Sequence, residues 1–278
     1  MIITAKARLA GVLGWPVSHS RSPRLHGFWL ERMGIDGAYL PLGVAPENLE
    51  SVIRALPRMG FAGANVTVPH KEAVMRLVDH LEPLARRIGA VNTLVVQEDG
   101  SLEGRNTDAY GFFENLRQGC LAWVPQSGPA AVIGAGGASR AVVAALLDAG
   151  VPEIRLTNRS RERAEALAAD LGGPVRVVDW AERADMLAGC ALLVNTTTLG
   201  MTGQSALDLD LAALPTTSVV NDIVYVPLET DLLARARARG NPVVDGLGML
   251  LHQAVPGFKA WFGQQPQVTD ELRAFVLS

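Results

Sequence analysis

Cysteine is nearly absent from this chain. Cys120 and Cys190 are the only two, seventy positions apart and outside any CxxC pair. That excludes a disulfide framework and a cysteine-based metal site, and a reducing, cytoplasmic setting is expected. Histidine offers no alternative: His19, His26, His70, His80 and His252 show neither HxxxH nor HExxH spacing, so no metal is expected. No apolar run approaches the ~18 residues of a membrane span, and the opening stretch Met1–Arg8 lacks the apolar core of a leader. No membrane partner is expected. A formal net charge of -3 gives no electrostatic reason for a nucleic-acid partner. There is no GxSxG elbow and no reactive-cysteine context, so hydrolase chemistry lacks support. Lysine is also scarce, because 22 of the 25 basic residues are Arg and only Lys6, Lys71 and Lys259 are Lys.

What is present is apolar material: 49% of 278 residues, against 19% charged. That length and balance predict two domains with packed cores. Leu9–Gly14 reads as a buried strand. A helix follows from Ser22 to about Met33, with Ser22 as N-cap and Pro23 at its first position. Tyr39–Leu42 is a second strand, Pro46–Met59 a helix, and Ala64–Val68 a third strand leading through Pro69-His70-Lys71 into a helix ending near Val78. Strands separated by helices imply a mainly parallel sheet, with Val91–Val96 and the segment from Leu102 forming an appended hairpin.

A breaker-rich stretch, Pro125–Pro129, begins a fresh alternation. Strands are expected at Ala130–Ile133, Ile154–Thr157, Val175–Val178, Ala191–Val194, Ser218–Val224 and Pro242–Asp245. Helices are expected at Ala138–Ala149, Arg161–Asp170 and about Leu228–Arg239. This is the pattern of a doubly wound, Rossmann-like nucleotide-binding domain. The helical tail from Gly246 follows a finished sheet and is expected to pack on the first domain. The expected division is 1–108 with 246–278, and 109–245.

The turn Gly134-Ala135-Gly136-Gly137-Ala138-Ser139 joins a strand to a helix, where glycines let backbone N–H groups approach a pyrophosphate. Ser139 stands in place of the third glycine of the usual fingerprint. At the end of the next strand, an NAD-binding domain carries an acid for the ribose 2′-hydroxyl. Here Asn158-Arg159-Ser160-Arg161-Glu162-Arg163 supplies arginines instead, which suits a 2′-phosphate and points to NADP, with Arg159 and Arg163 as its ligands. Asn195–Met201, with Thr196 and Thr197, follows another buried strand where nucleotide sites form, although a polar turn explains the hydroxyls of Thr197 and Thr198 equally well.

In the first domain, alternation along the third strand places Asn65 and Thr67 on one face, where a polyhydroxylated ligand would satisfy them. Lys71 at the start of a helix opposes the helix dipole, a poor choice for stability. A surface Lys lying over the sheet is the ordinary explanation. In so Arg-rich a chain, however, a Lys with a lowered pKa does what Arg cannot: it gives and takes a proton. Asp108, in Gly104–Gly111, is a partner for it, or else an N-cap of the next helix. Ser20 and Ser22 either cap a helix or anchor a carboxylate.

Seven stretches in order, Ser20–Pro23, Gly63–Lys71, Gly89–Thr93, Gly104–Asp108, Gly134–Arg140, Asn158–Ser160 and Gly246–Gln253, resemble the shikimate dehydrogenases over nearly the whole chain. The resemblance implies NADP-dependent reduction of 3-dehydroshikimate to shikimate, and the reverse oxidation, by a monomer or homodimer. It implies Lys71 and Asp108 as the catalytic pair and Ser20 and Ser22 as carboxylate ligands. Asn65, Thr67, Asn92 and Gln253 are then the ring-hydroxyl ligands, and Gly246 and Met249 join the cofactor side. Departures are small: Asp231 stands where the family often has Pro, Ser160 where Thr is commoner, and Thr198 where many members have Ser. Two other readings remain. One is an NAD-preferring quinate/shikimate dehydrogenase, against which Asn158-Arg159 argues. The other is a non-catalytic dinucleotide sensor, against which the presence of Lys71 and Asp108 argues.

Overall fold

The structure is a computed structural model that describes residues 3–278; Met1 and Ile2, part of the amino-terminal stretch read above, lie outside the described residues. It divides into two compact units, 1–107 with 253–278, and 108–252. The return crossing falls inside a helix beyond Gly246.

The first unit begins with β1 (Arg8–Gly14), α1 (Ser22–Arg32), β2 (Gly37–Gly43), α2 (Leu49–Ala55) and β3 (Phe61–Val66). It continues with β4 (His80–Leu81), α3 (Pro83–Ile88), β5 (Thr93–Val96) and β6 (Leu102–Arg105). Its sheet has the order β2-β1-β3-β5-β6-β4. β1 lies parallel to β2 and β3, whereas β5 and β6 form an antiparallel hairpin. Leu13, Ile53, Leu56, Ala64, Val91 and Leu94 are at the centre of the core on one face.

The second unit holds α4 (Asp108–Gly119), β7 (Ala130–Ile133), α5 (Gly137–Asp148), β8 (Ile154–Thr157), α6 (Arg161–Leu171) and β9 (Val175–Val178). Then come β10 (Leu192–Asn195), β11 (Val219–Asp222), α7 (Asp231–Ala238) and β12 (Val243–Val244). All its strands are parallel, in the order β12-β11-β10-β7-β8-β9, the doubly wound arrangement expected. β7 reads Ala-Ala-Val-Ile and is buried along its length, as a strand covered on both faces must be. α8 (Leu247–Phe262) carries the chain from the second unit back to the first, where α9 (Asp270–Leu277) completes it. In the first unit the α8 residue Trp261 donates its indole N–H to the Leu94 carbonyl at 2.8 Å.

Four local expectations are corrected. Ser22 is the first helical residue and not the cap: Arg21 holds the cap position with helical backbone, and no side chain caps the helix. The helix expected over Pro46–Met59 is broken into α2 flanked by 3₁₀ turns, because Pro57 lacks the N–H that would continue it. β3 stops at Val66, ahead of an exposed Val68 and of Pro69, which cannot donate to a ladder. No α-helix follows Lys71. A 3₁₀ turn over Ala73–Arg76 is all that forms, because the chain turns at Asp79 to pair β4 with β6. Sheet pairing overrides a helical propensity that was real but weak.

Candidate active site

In the first unit, three of the polar residues singled out along the sequence, Asn65, Asn92 and Gln253, meet in one buried network. Asn65 on β3 donates through Nδ2 to the Asn92 carbonyl at 3.1 Å and to Thr93 Oγ1 at 3.2 Å. Asn92, just before β5, donates through Nδ2 to Thr107 Oγ1 at 3.0 Å and to Gln253 Oε1 at 3.4 Å. Its Oδ1 accepts from the Thr107 backbone N–H at 2.8 Å. Asn65, Asn92 and Gln253 are all buried. So many polar groups tolerate burial because each finds a partner.

Ser20 and Ser22 are joined as well, since Ser20 Oγ accepts from the Ser22 N–H at 3.3 Å. The half-buried Thr67 lies just past the end of β3, so within the strand only Asn65 supports the shared-face argument. Lys71 is half-buried, and its carbonyl accepts from the Val91 N–H at 2.8 Å, which anchors it beside the strand segment that carries Asn92. No α-helix follows Lys71, so no helix dipole opposes its charge. Asp108 is buried and is the first helical residue of α4.

The sequence reading missed Tyr39, Thr93 and Thr107, which knit this network together. Thr93 and Thr107 each neighbour a residue that was picked. Tyr39 carried one signal, a polar-tipped aromatic on an interior-facing strand position. His70 is structural: its Nε2 lies 2.7 Å from the Val44 carbonyl.

In the second unit, the glycine-rich turn is built for close approach. Gly134 has φ +111, and a Cβ there would stand 2.6 Å from Thr196 Oγ1, so only glycine fits. Gly136 is different. Its backbone is extended, with φ -97 and ψ -172, and a Cβ on it, or on Gly137, would meet nothing within 4 Å. The protein's own packing does not require glycine at either place, whereas the approach of a pyrophosphate does. Ser139 explains the imperfect fingerprint: it is buried, and its hydroxyl donates to the Gly134 carbonyl at 2.5 Å, stitching the turn to the helix. Ala135 and Ala138, between and beyond the glycines, are half-buried. No side chain caps α5, which leaves its first N–H groups for an anion.

Asn158 holds the turn to the end of β8. Its Oδ1 accepts from Ala135 N–H at 3.2 Å, and its Nδ2 donates to the Ser160 carbonyl at 2.9 Å. Of the nearby arginines, Arg161 is bound to Glu165 and Asp179. Arg159 and Arg163 are exposed, and among the described residues neither has an ion-pair partner. The Ser160 hydroxyl donates to Glu162 at 2.9 Å.

Thr196 donates its hydroxyl to the Ile133 carbonyl at 2.7 Å, and Thr197 donates to Asn195 Oδ1 at the same distance. Both hydroxyls therefore serve the turn. Asp222 is buried beneath it and accepts from Asn195 Nδ2 at 3.0 Å and from Thr230 Oγ1 at 2.7 Å. Burial raises its pKa, opposed by these hydrogen bonds. Gly246 is sterically required, since a Cβ would stand 2.2 Å from the Ile223 carbonyl oxygen; Met249 is half-buried. Among the described residues, no group of three His, Cys, Asp or Glu is placed to hold a metal, and no helix is long and apolar enough to cross a membrane.

A doubly wound unit with a glycine-rich turn suited to a dinucleotide is joined in one chain to a unit carrying a buried amide and hydroxyl network. Residues 12–94 match the family model of the shikimate dehydrogenase substrate binding domain, and residues 125–200 match that of shikimate / quinate 5-dehydrogenase. The chain belongs to the shikimate dehydrogenase family. It is 88% identical over 276 residues to the shikimate dehydrogenase (NADP(+)) of Paramagnetospirillum magneticum, covering 99% of this chain and all of the relative. A shikimate 5-dehydrogenase from Thermus thermophilus, solved with NADP(H) and shikimate, superposes with TM-score 0.86 at 40% identity, over 97% of this chain and 98% of that one. A quinate dehydrogenase from Corynebacterium glutamicum, solved with NAD, superposes with TM-score 0.91 at 32% identity, over 98% and 99%.

Proposed function

We propose that this chain catalyses the reversible NADP-dependent reduction of 3-dehydroshikimate to shikimate. The observation that carries the reading is the end-to-end match to the NADP-dependent Paramagnetospirillum enzyme. Bound NADP supplies the hydride chemistry. The open faces of Gly136 and Gly137 and the uncapped start of α5 suit its pyrophosphate. The unpaired Arg159 and Arg163 suit its 2′-phosphate. Thr196 and Thr197 border the turn, while Asn158, Ser160, Gly246 and Met249 complete the cofactor side.

Lys71 donates a proton to the oxygen as the ketone becomes an alcohol and takes it back in the oxidation, with Asp108 as its catalytic partner. Ser20 and Ser22 hold the carboxylate. Asn65, Thr67, Asn92 and Gln253 hold the ring hydroxyls, and the hydrogen bonds that link Asn65, Asn92 and Gln253 support this role by fixing those amides before substrate arrives. The enzyme works in the cytoplasm as a monomer or homodimer, which sedimentation of the purified protein distinguishes.

The test is a set of initial rates for shikimate and for quinate, each with NADP and with NAD. Fast turnover confined to shikimate with NADP is expected. Comparable rates with NAD or quinate would move the chain to the dual-specificity enzymes and undo the 2′-phosphate argument. Nucleotide binding without turnover of any pair would make it a sensor.

A further inference from the structure

Tyr39 lies on β2, which pairs with β1, and its hydroxyl donates to Asn65 Oδ1 at 2.6 Å. The Asn65 amide is thereby gripped at both ends. The Asn92 carbonyl is an acceptor only, so it must face Nδ2, and the second Nδ2 hydrogen goes to Thr93 Oγ1. Oδ1 then faces Tyr39, which fills one of its two lone pairs. With both N–H groups committed, these bonds leave Asn65 a single acceptor lone pair, on a side chain that also neighbours the buried His26.

The Tyr39 ring is itself fixed. It stacks on His26, with centroids 3.9 Å apart and planes 6° apart, and lies tilted against Trp261 at 5.9 Å. Burial pushes the phenol well above its ordinary pKa of 10, opposed by the neighbouring Ser22 hydroxyl, so it stays a donor at any working pH. The phenol thus neighbours both Ser22 and Asn65, two residues assigned above to the substrate.

We propose that Tyr39 is a positioning residue that makes Asn65 a single-acceptor ligand, selecting a substrate whose ring substituent at that point is a hydrogen-bond donor. The inference rests on the functional reading above and adds a chemical requirement to it: a hydroxyl is accepted there, and a group of similar size that cannot donate is refused.

Tyr39→Phe keeps the ring stack and removes only the hydroxyl. The expected result is a KM for shikimate raised about five- to tenfold, with kcat and the KM for NADP within about twofold of wild type. Combining it with Asn65→Ala closes a double-mutant cycle. If Tyr39 acts through Asn65, Tyr39→Phe adds no further rise in KM in the Asn65→Ala background; additive effects would overturn the proposal. So would an unchanged KM in Tyr39→Phe, or equal losses for shikimate and NADP accompanied by a lowered Tm. Wild-type enzyme supplies a readout that needs no variant. Shikimates with fluorine in place of one ring hydroxyl at a time must include one whose kcat/KM falls at least about tenfold, because fluorine cannot donate. Retention with every such analogue would overturn the proposal. Absence of turnover of shikimate itself by wild type would overturn the functional reading and this proposal with it.

Discussion

Thr196 Oγ1 donates to the Ile133 carbonyl and lies 2.6 Å from where a Cβ on Gly134 would stand, so the end of β10 presses against the glycine-rich turn. Two neighbouring glycines therefore have separable roles. Gly134→Ala meets both a positive φ and this hydroxyl, and should destabilise the protein by about 1–3 kcal/mol. Gly136→Ala meets neither and should leave the denaturant midpoint nearly unchanged while weakening NADP binding at least about tenfold. Chemical denaturation and nucleotide titration of the two variants read the difference; equal loss of stability in both would refute it.

Lys71→Ala should lower kcat by about 10²–10⁴-fold, the usual worth of general acid assistance, with little change in KM for shikimate. Steady-state kinetics checks this. A rise in KM alone would demote Lys71 to a binding residue.

Arg159→Ala and Arg163→Ala should each weaken NADP binding by about 10–100-fold, the worth of a charge-assisted hydrogen bond to phosphate. Binding of NAD, which lacks the 2′-phosphate, should stay as it was. Fluorescence titration with both nucleotides separates the outcomes, and a parallel loss for NAD would show a role in folding of the turn.

His26 is fully buried against Tyr39, Trp29 and Phe258. Burial lowers its pKa from 6.5 to about 3, with the Asn65 side chain opposing. The folded state therefore refuses a proton that the unfolded state takes up below pH 6.5. Stability should fall as pH drops from 6.5 towards 3, by up to ~1.4 kcal/mol per pH unit from this group. His252, also lowered by burial, adds to the trend, whereas Asp222, raised by burial, works against it. Urea melts between pH 7 and pH 4 should show a shallower slope for His26→Phe, and an unchanged slope would acquit His26.

Reading along the chain recovered what is written locally. The strand at Ala130–Ile133, the glycine turn after it and the Asn158–Arg163 segment are each a short unbroken run, and alternation, glycine and charge report them directly. Asn65 and Lys71 stand out by residue type, but the helix expected after Lys71 does not form. Asn92 and Gln253, 161 residues apart, entered through family resemblance alone, and their hydrogen bond exists because α8 returns to the first unit.

The sequence by itself determined the two α/β halves, the glycine-rich turn and the arginines that follow the next strand, because each depends on a short run of residues and on elementary rules of backbone and charge. Only the tertiary structure decided that Tyr39 and His26 are stacked face to face, that Asn65 is held at both ends of its amide, and that sheet pairing at β4 cancels a helix. The reason is physical: a hydrogen bond between distant residues leaves no periodic trace, and its partner is chosen by which strands and helices the whole chain brings together.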